Sequence, residues 1–118
     1  MFYTDENGRP GMARKTTRDV NGVPVTTWTR DISDFNFLEV EAGTNGYKGG
    51  DTGHGSRTFL RIANQGGTDM RVRINGRELN WDVDDIAITL GGDAELSTIK
   101  EALKWMISIL EVQSEGER

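Results

Sequence analysis

The chain has no cysteine among its 118 residues. That excludes a disulfide scaffold, a thiol nucleophile and a cysteine-ligated zinc site. Its single histidine, His54, cannot supply the several imidazoles that a histidine-rich metal centre draws from one chain. No apolar run approaches the roughly 18–20 residues a membrane span requires, and residues 1–14 lack the apolar stretch of a secretion signal. These gaps favour a cytoplasmic protein. The length fits one domain, 1–118, able to bury about two-thirds of its unfolded surface without a disulfide or metal staple.

Charge is present, but unevenly. The formal net charge is −5. From Glu78 onward ten acids face three bases, a net −7, whereas the preceding residues carry nine acids and eleven bases, a net +2. Five arginines and one acid, Asp69, lie between Arg57 and Arg77. An acidic protein that gathers arginine in one stretch is suited to a small anion rather than to duplex nucleic acid, which asks for a broad basic face. The plainer reading is that these arginines cover a solvated sheet face.

Residues 1–12 read as a loose arm punctuated by Gly8, Pro10 and Gly11. Asn21-Gly22 supplies the positive φ angles of a tight hairpin between Arg14–Val20 and Val23–Arg30, with Pro24 placing an edge nearby. Residues 35–42 alternate: Leu38, Val40 and Ala42 on one face, Phe37, Glu39 and Glu41 on the other. Thr58–Ala63 sets Leu60 and Ile62 against Phe59 and Arg61. Asp69–Ile74 alternates as a strand that turns at Asn75-Gly76 and returns through Trp81. Ile86, Ile88 and Leu90 give a further strand. After Gly91-Gly92, Asp93 reads as the N-cap of an amphipathic helix over 93–113. Its stripe of Leu96, Ile99, Leu103, Met106, Ile107 and Leu110 is expected to pack on the sheet. The fold class is α+β: an antiparallel sheet of about 5–7 strands packed by one C-terminal helix. Trp28 and Trp81 read as core. Trp105 falls on a second apolar flank with Ala102 and Ile109, which favours a partner surface and hence a homo-oligomer.

The informative segment is 43–57, GTNGYKGGDTGHGSR, in which six of fifteen residues are glycine. It is too long for a hairpin turn and too varied for a linker. Glycines let the backbone approach a ligand closely, and successive amides in such turns form concave anion sites. Thr44, Asn45, Asp51, Thr52 and Ser56 add polar groups. Lys48, His54 and Arg57 add positive or switchable charge, and Tyr47 offers a flat face for a base. Arg71 and Arg73 join this candidate site if their strand lies beside the loop, because guanidinium groups grip phosphate bidentately. The spacing matches neither a Walker loop nor a dinucleotide fingerprint. The competing reading is an Ω-like loop packed by its own side chains. A hydrolase would use His54 and Asp51, and Glu39 with Glu41 could pair on a metal, although solvated strand carboxylates are commoner. No catalytic residue, metal or cofactor is assigned.

The stretch LEVEAGTNGYKGGDTGHGSRTFLRI, with the later GTDMRVRI and LGGDAEL, resembles a group of short proteins from phages and from Gram-positive bacteria carrying prophages. The resemblance covers roughly 37–112 and transfers no catalytic residue, since no activity is established for the group. It implies a phage setting, in the host cytoplasm, where small proteins often act as counter-defence factors. By that analogy the expected function is non-catalytic sequestration of an anionic nucleotide-derived signal, a cyclic oligonucleotide or an ADP-ribose-like molecule. The alternatives are an acidic protein–protein inhibitor or structural accessory, and a nucleotide hydrolase.

Overall fold

A computed structural model describes residues 13–33, 36–47, 55–66, 68–79 and 84–115. The expected N-terminal arm and Trp81 lie outside them. Its elements are β1 (Arg14–Val20), β2 (Val23–Ser33), β3 (Phe37–Thr44), β4 (Arg57–Gly66), β5 (Arg73–Ile74), β6 (Arg77–Glu78), β7 (Asp85–Gly91) and α1 (Asp93–Ser114). Five strands form an antiparallel sheet in the order β1-β2-β3-β4-β7, and β5-β6 forms a separate two-stranded ribbon. The fold class is therefore α+β, a sheet with one C-terminal helix.

The first hairpin follows its sequence. Asn21 and Gly22 take φ of 51° and 87°, and β1 pairs with β2 from Arg14↔Thr29 to Val20↔Val23. β3 extends along β2 only as far as Thr27↔Gly43, so Pro24 sits where the β3 side of β2 has no strand partner. That is where a residue without an N–H is tolerated. At Gly43 the two strands approach closely: a Cβ there would lie 2.3 Å from the Thr26 carbonyl oxygen and 2.8 Å from the Thr27 Cα.

The register sorts the sheet into two faces. One carries Arg18, Val20, Val25, Thr27, Glu39, Glu41, Phe59 and Arg61, in neighbouring positions across β1 to β4. The other carries Trp28, Ile32, Leu38, Val40, Leu60, Ile62, Ile86 and Ile88. The core sits on the first, more polar face, where Val20, Val25 and Phe59 form a buried cluster with Val23 against it. This face closes because the sheet curls. The turn at Asn21 reaches Thr89 on β7, Nδ2 to Oγ1 at 3.4 Å, and the Arg18 guanidinium of β1 lies 4.4 Å over the Phe59 ring of β4.

Four expectations need correction. Asp69–Ile74 does not form a full strand. Only Arg73–Ile74 forms a strand, paired with Arg77–Glu78 in a ribbon that no other described strand joins. Asp93 is not the N-cap. Gly92 caps the helix at φ 111°, and the Asp93 carboxylate turns instead to accept bonds from Ser56 and Tyr47. The helix stripe is not packed on the sheet along its length. Leu96 is its only buried residue, and Trp105 and Leu110 are 64% and 67% exposed. Trp28 is half-buried, against its expected place in the core.

Candidate functional site

The stem of the glycine-rich loop is clasped to the start of the helix. The Asn45 N–H donates to the Arg57 carbonyl at 3.2 Å, and the Arg57 N–H donates back to the Asn45 side-chain oxygen at 2.8 Å. Thr44 bridges to Thr58 and to the Arg57 carbonyl, and its hydroxyl accepts from the Gly46 N–H. Ser56 is 1% exposed; its hydroxyl donates to Asp93 at 2.8 Å and its carbonyl accepts from the Gly92 N–H at 2.9 Å. Gly46 is packed so tightly on the helix start that a Cβ would lie 2.7 Å from Asp93 Oδ1 and 3.0 Å from Leu96.

Tyr47 ends the described part of the rising limb. Its φ is 63°, a left-handed conformation rare for an aromatic residue. Three contacts hold it: the N–H bonds Asp93, the hydroxyl bonds Ser97, and the Lys100 ammonium stands 4.8 Å from the ring centroid. Cation–ring attraction at such a distance is worth about 0.5–1 kcal/mol at an exposed site. Tyr47 remains 41% exposed. Sequence reading missed Ser97 and Lys100. Their spacing of four and seven from Asp93 puts all three on one helical face, but nothing in the sequence says that this face meets the loop.

Of the expected site residues, the fold brings Thr44, Asn45, Tyr47, Ser56 and Arg57 together. Arg57 extends over Gly91 on the polar sheet face, donating to the Ser56 carbonyl at 3.0 Å, while Tyr47 and Lys100 flank the loop on the helix side. Lys48, Asp51, Thr52 and His54 lie outside the described residues. Arg71 and Arg73 go elsewhere. Thr68 bonds Phe37, so the β5-β6 ribbon departs from the Gly66 end of β4. That end lies about 30 Å along the strand from Arg57. There Arg71 pairs with Asp69 and Glu78, and Arg73 with Glu78. Within one chain they do not converge on the loop.

Glu41 is buried and Glu39 half-buried, and arginines occupy both carboxylates. Glu41 is 3% exposed and accepts two bonds from Arg18 at 2.8 and 2.7 Å, one from Thr27 at 2.7 Å and one from Arg61 at 3.0 Å. Burial alone would push its pKa up. The bonds from Arg18, Thr27 and Arg61 and the Arg18 charge outweigh that and hold it at about 2. Arg61 also bonds Glu39 and Asp85, Arg14 bonds Glu39, and the carboxylate bonds hold the Arg18 and Arg61 guanidiniums in the charged form. The set is saturated and structural. Among the described residues no three His, Cys, Asp or Glu side chains are placed to hold a metal ion, and no helix among them is long and apolar enough to cross a membrane.

No family model, curated protein or solved structure matches the chain.

Proposed function

We propose that this chain is a non-catalytic binding protein whose ligand seat is the 43–57 loop, and that the ligand is a small anionic nucleotide-derived molecule. The observation that carries the reading is the pinned Tyr47, held by Asp93, Ser97 and Lys100 at the mouth of the loop. A residue held at positive φ through its backbone N–H, its hydroxyl and its ring is ordered before any ligand arrives, so a base stacking on it loses little to ordering. Lys100 flanks Tyr47 with positive charge for the phosphates, and Arg57 adds a second charge from the sheet side of the loop stem. Arg71 and Arg73 are dropped from the seat of a single chain. The stem amides of Asn45, Gly46, Tyr47 and Arg57 are already bonded internally, so anion capture falls to side chains and to the loop between them. In the phage setting implied by the sequence resemblance, such a protein withdraws a nucleotide immune signal in the host cytoplasm, acting as a homo-oligomer.

Calorimetric titration with cyclic dinucleotides, cyclic trinucleotides and ADP-ribose derivatives, followed by heat denaturation and identification of what is released, tests this. The expected result is one bound species recovered intact, with Tyr47→Ala and Lys100→Ala each weakening binding at least tenfold. Absence of binding across the panel, or undiminished affinity in both variants, overturns it; a released product indicates hydrolysis instead.

A second reading, an accessory protein acting through protein contact, is favoured by the apolar sheet face that the described residues leave partly open. Capture of a stoichiometric host protein by wild type and by Tyr47→Ala alike is the result that selects it.

A further inference from the structure

The described residues only partly cover the more apolar face of the sheet. Leu38, Val40, Leu60 and Ile86 are only half-buried, and Ile62 and Ile88 are 40% and 50% exposed. Such a face is expected to lie against a second layer. The chain's own helix does not provide one. It touches the sheet at its first turns, where Leu96 is buried, and it stands off β7 far enough to leave a groove of about 230 Å³ lined by Leu90, Ala94, Glu95, Thr98, Ile99 and Ala102. Beyond that groove Trp105, Met106, Ile107 and Leu110 are all exposed. Among the described residues, one molecule thus carries a half-open apolar sheet face and a helix whose last turns are exposed.

We infer that the missing layer is the helix of a second copy, with two chains related by a twofold axis and the last turns of each α1 lying on the apolar sheet face of the other. Three observations select a second copy over an unrelated protein. First, both halves of the contact are present in the same chain, so a twofold pair closes both at once; an unrelated partner covering the sheet leaves the helix open. Second, the dimensions agree. The last turns of the helix, residues 103–114, are about 18 Å long, and β3, β4 and β7, of 8, 10 and 7 residues, run about 23–33 Å, long enough to seat them. Third, the area is sufficient. At about 200 Å² for a fully open large side chain, the exposed parts of Ile62, Ile88, Met106, Ile107 and Leu110, leaving out Trp105 on the other flank of the helix, come to roughly 500 Å² per chain. A pair buries about 1,000 Å² from these alone, the size a specific interface has to reach. The partly exposed Leu38, Val40, Leu60 and Ile86 add to it.

This deepens the homo-oligomer part of the proposed function and does not depend on what the loop binds. The test is sedimentation velocity of the full chain over about 1–100 µM, a span that brackets a micromolar Kd, with variants Leu110→Asp on the helix and Ile88→Lys on the sheet. Wild type is expected at twice the 13.1 kDa chain mass, and each variant alone at the monomer mass with the wild-type circular dichroism spectrum. Met106→Glu and Ile62→Lys replace either one that fails to fold. An equimolar mixture of helix and sheet variants is then expected to regain dimer, because one of the two helix-on-sheet contacts is intact in the mixed pair. A wild-type monomer throughout overturns both the inference and the homo-oligomer. A dimer that neither variant weakens, or one that the mixture does not restore, overturns the helix-on-sheet arrangement and leaves the homo-oligomer standing.

Discussion

The two faces of one five-stranded sheet invert the usual relation between composition and burial. The face that carries Arg18, Glu39, Glu41 and Arg61 is the closed one, with Glu41 3% exposed and Thr27 fully buried. The face that carries Leu38, Val40, Leu60, Ile62, Ile86 and Ile88 is the open one. Curl explains the first: bending the sheet toward its polar side brings β1 over β4 and excludes water without a second layer. The second follows from the same bend, since the convex face cannot close on itself. Apolar composition therefore marks surface to be covered, and whether the chain itself covers it depends on which way the sheet bends.

That contrast can be broken most strongly at Glu41. Glu41→Ala leaves two guanidinium groups and the Thr27 hydroxyl facing an empty site, and removing one partner of a buried charge cluster costs about 3–5 kcal/mol. Urea unfolding of the variant should show that loss. Replacing Glu41, Arg18 and Arg61 together by Leu and Met should cost less than the single change, because no charge is then stranded. Phe59→Ala on the same face should cost about 3–5 kcal/mol through the cavity it leaves between Val20 and Val25.

Acid provides the next test. The pKa of Glu41 is lowered from 4.5 in the unfolded chain to about 2 in the fold, so the unfolded state binds the proton more readily. Stability from this group is present above about pH 4.5 and is lost as pH falls toward 2. The loss is on the order of 3 kcal/mol across that window. Thermal melts from pH 5 to pH 2 should follow it in wild type, and Glu41→Gln should lack this component of the slope. At Ile88 on the open face the expectation is small. In dilute monomer Ile88→Ser should shift stability by no more than about 0.5 kcal/mol, and a value near that for Phe59→Ala would mean the face is already covered.

Much of this architecture was legible in the sequence. The Asn21-Gly22 hairpin ends where the alternation ends, and the helix begins right after Gly91-Gly92, because turn chemistry and helical periodicity are local properties. The alternation of Leu60 and Ile62 against Phe59 and Arg61 also gave the correct faces. What alternation could not give is which face closes. Glu39 and Glu41 read as solvated because a strand pattern carries no information on curl. Asp69–Ile74 read as a strand because alternation is silent on whether a neighbour is there to pair. At the candidate site, the glycines and Tyr47 were visible, while Lys100 and Ser97 entered only through the tertiary clasp. Arg71 and Arg73 were misplaced because position along a sequence does not tell which end of a strand a ribbon leaves from.

The joint at Gly92 gives the loop leverage over the helix. No residue separates the last position of β7 from this cap, and the cap's amide is tied to Ser56 while Asp93 is tied to Ser56 and Tyr47. The heading of α1 is thus steered from the loop stem, as a boom is steered from its gooseneck. For a rod about 33 Å long, a swing of about 5° at the stem carries the far tip through roughly 3 Å, close to the diameter of a water molecule.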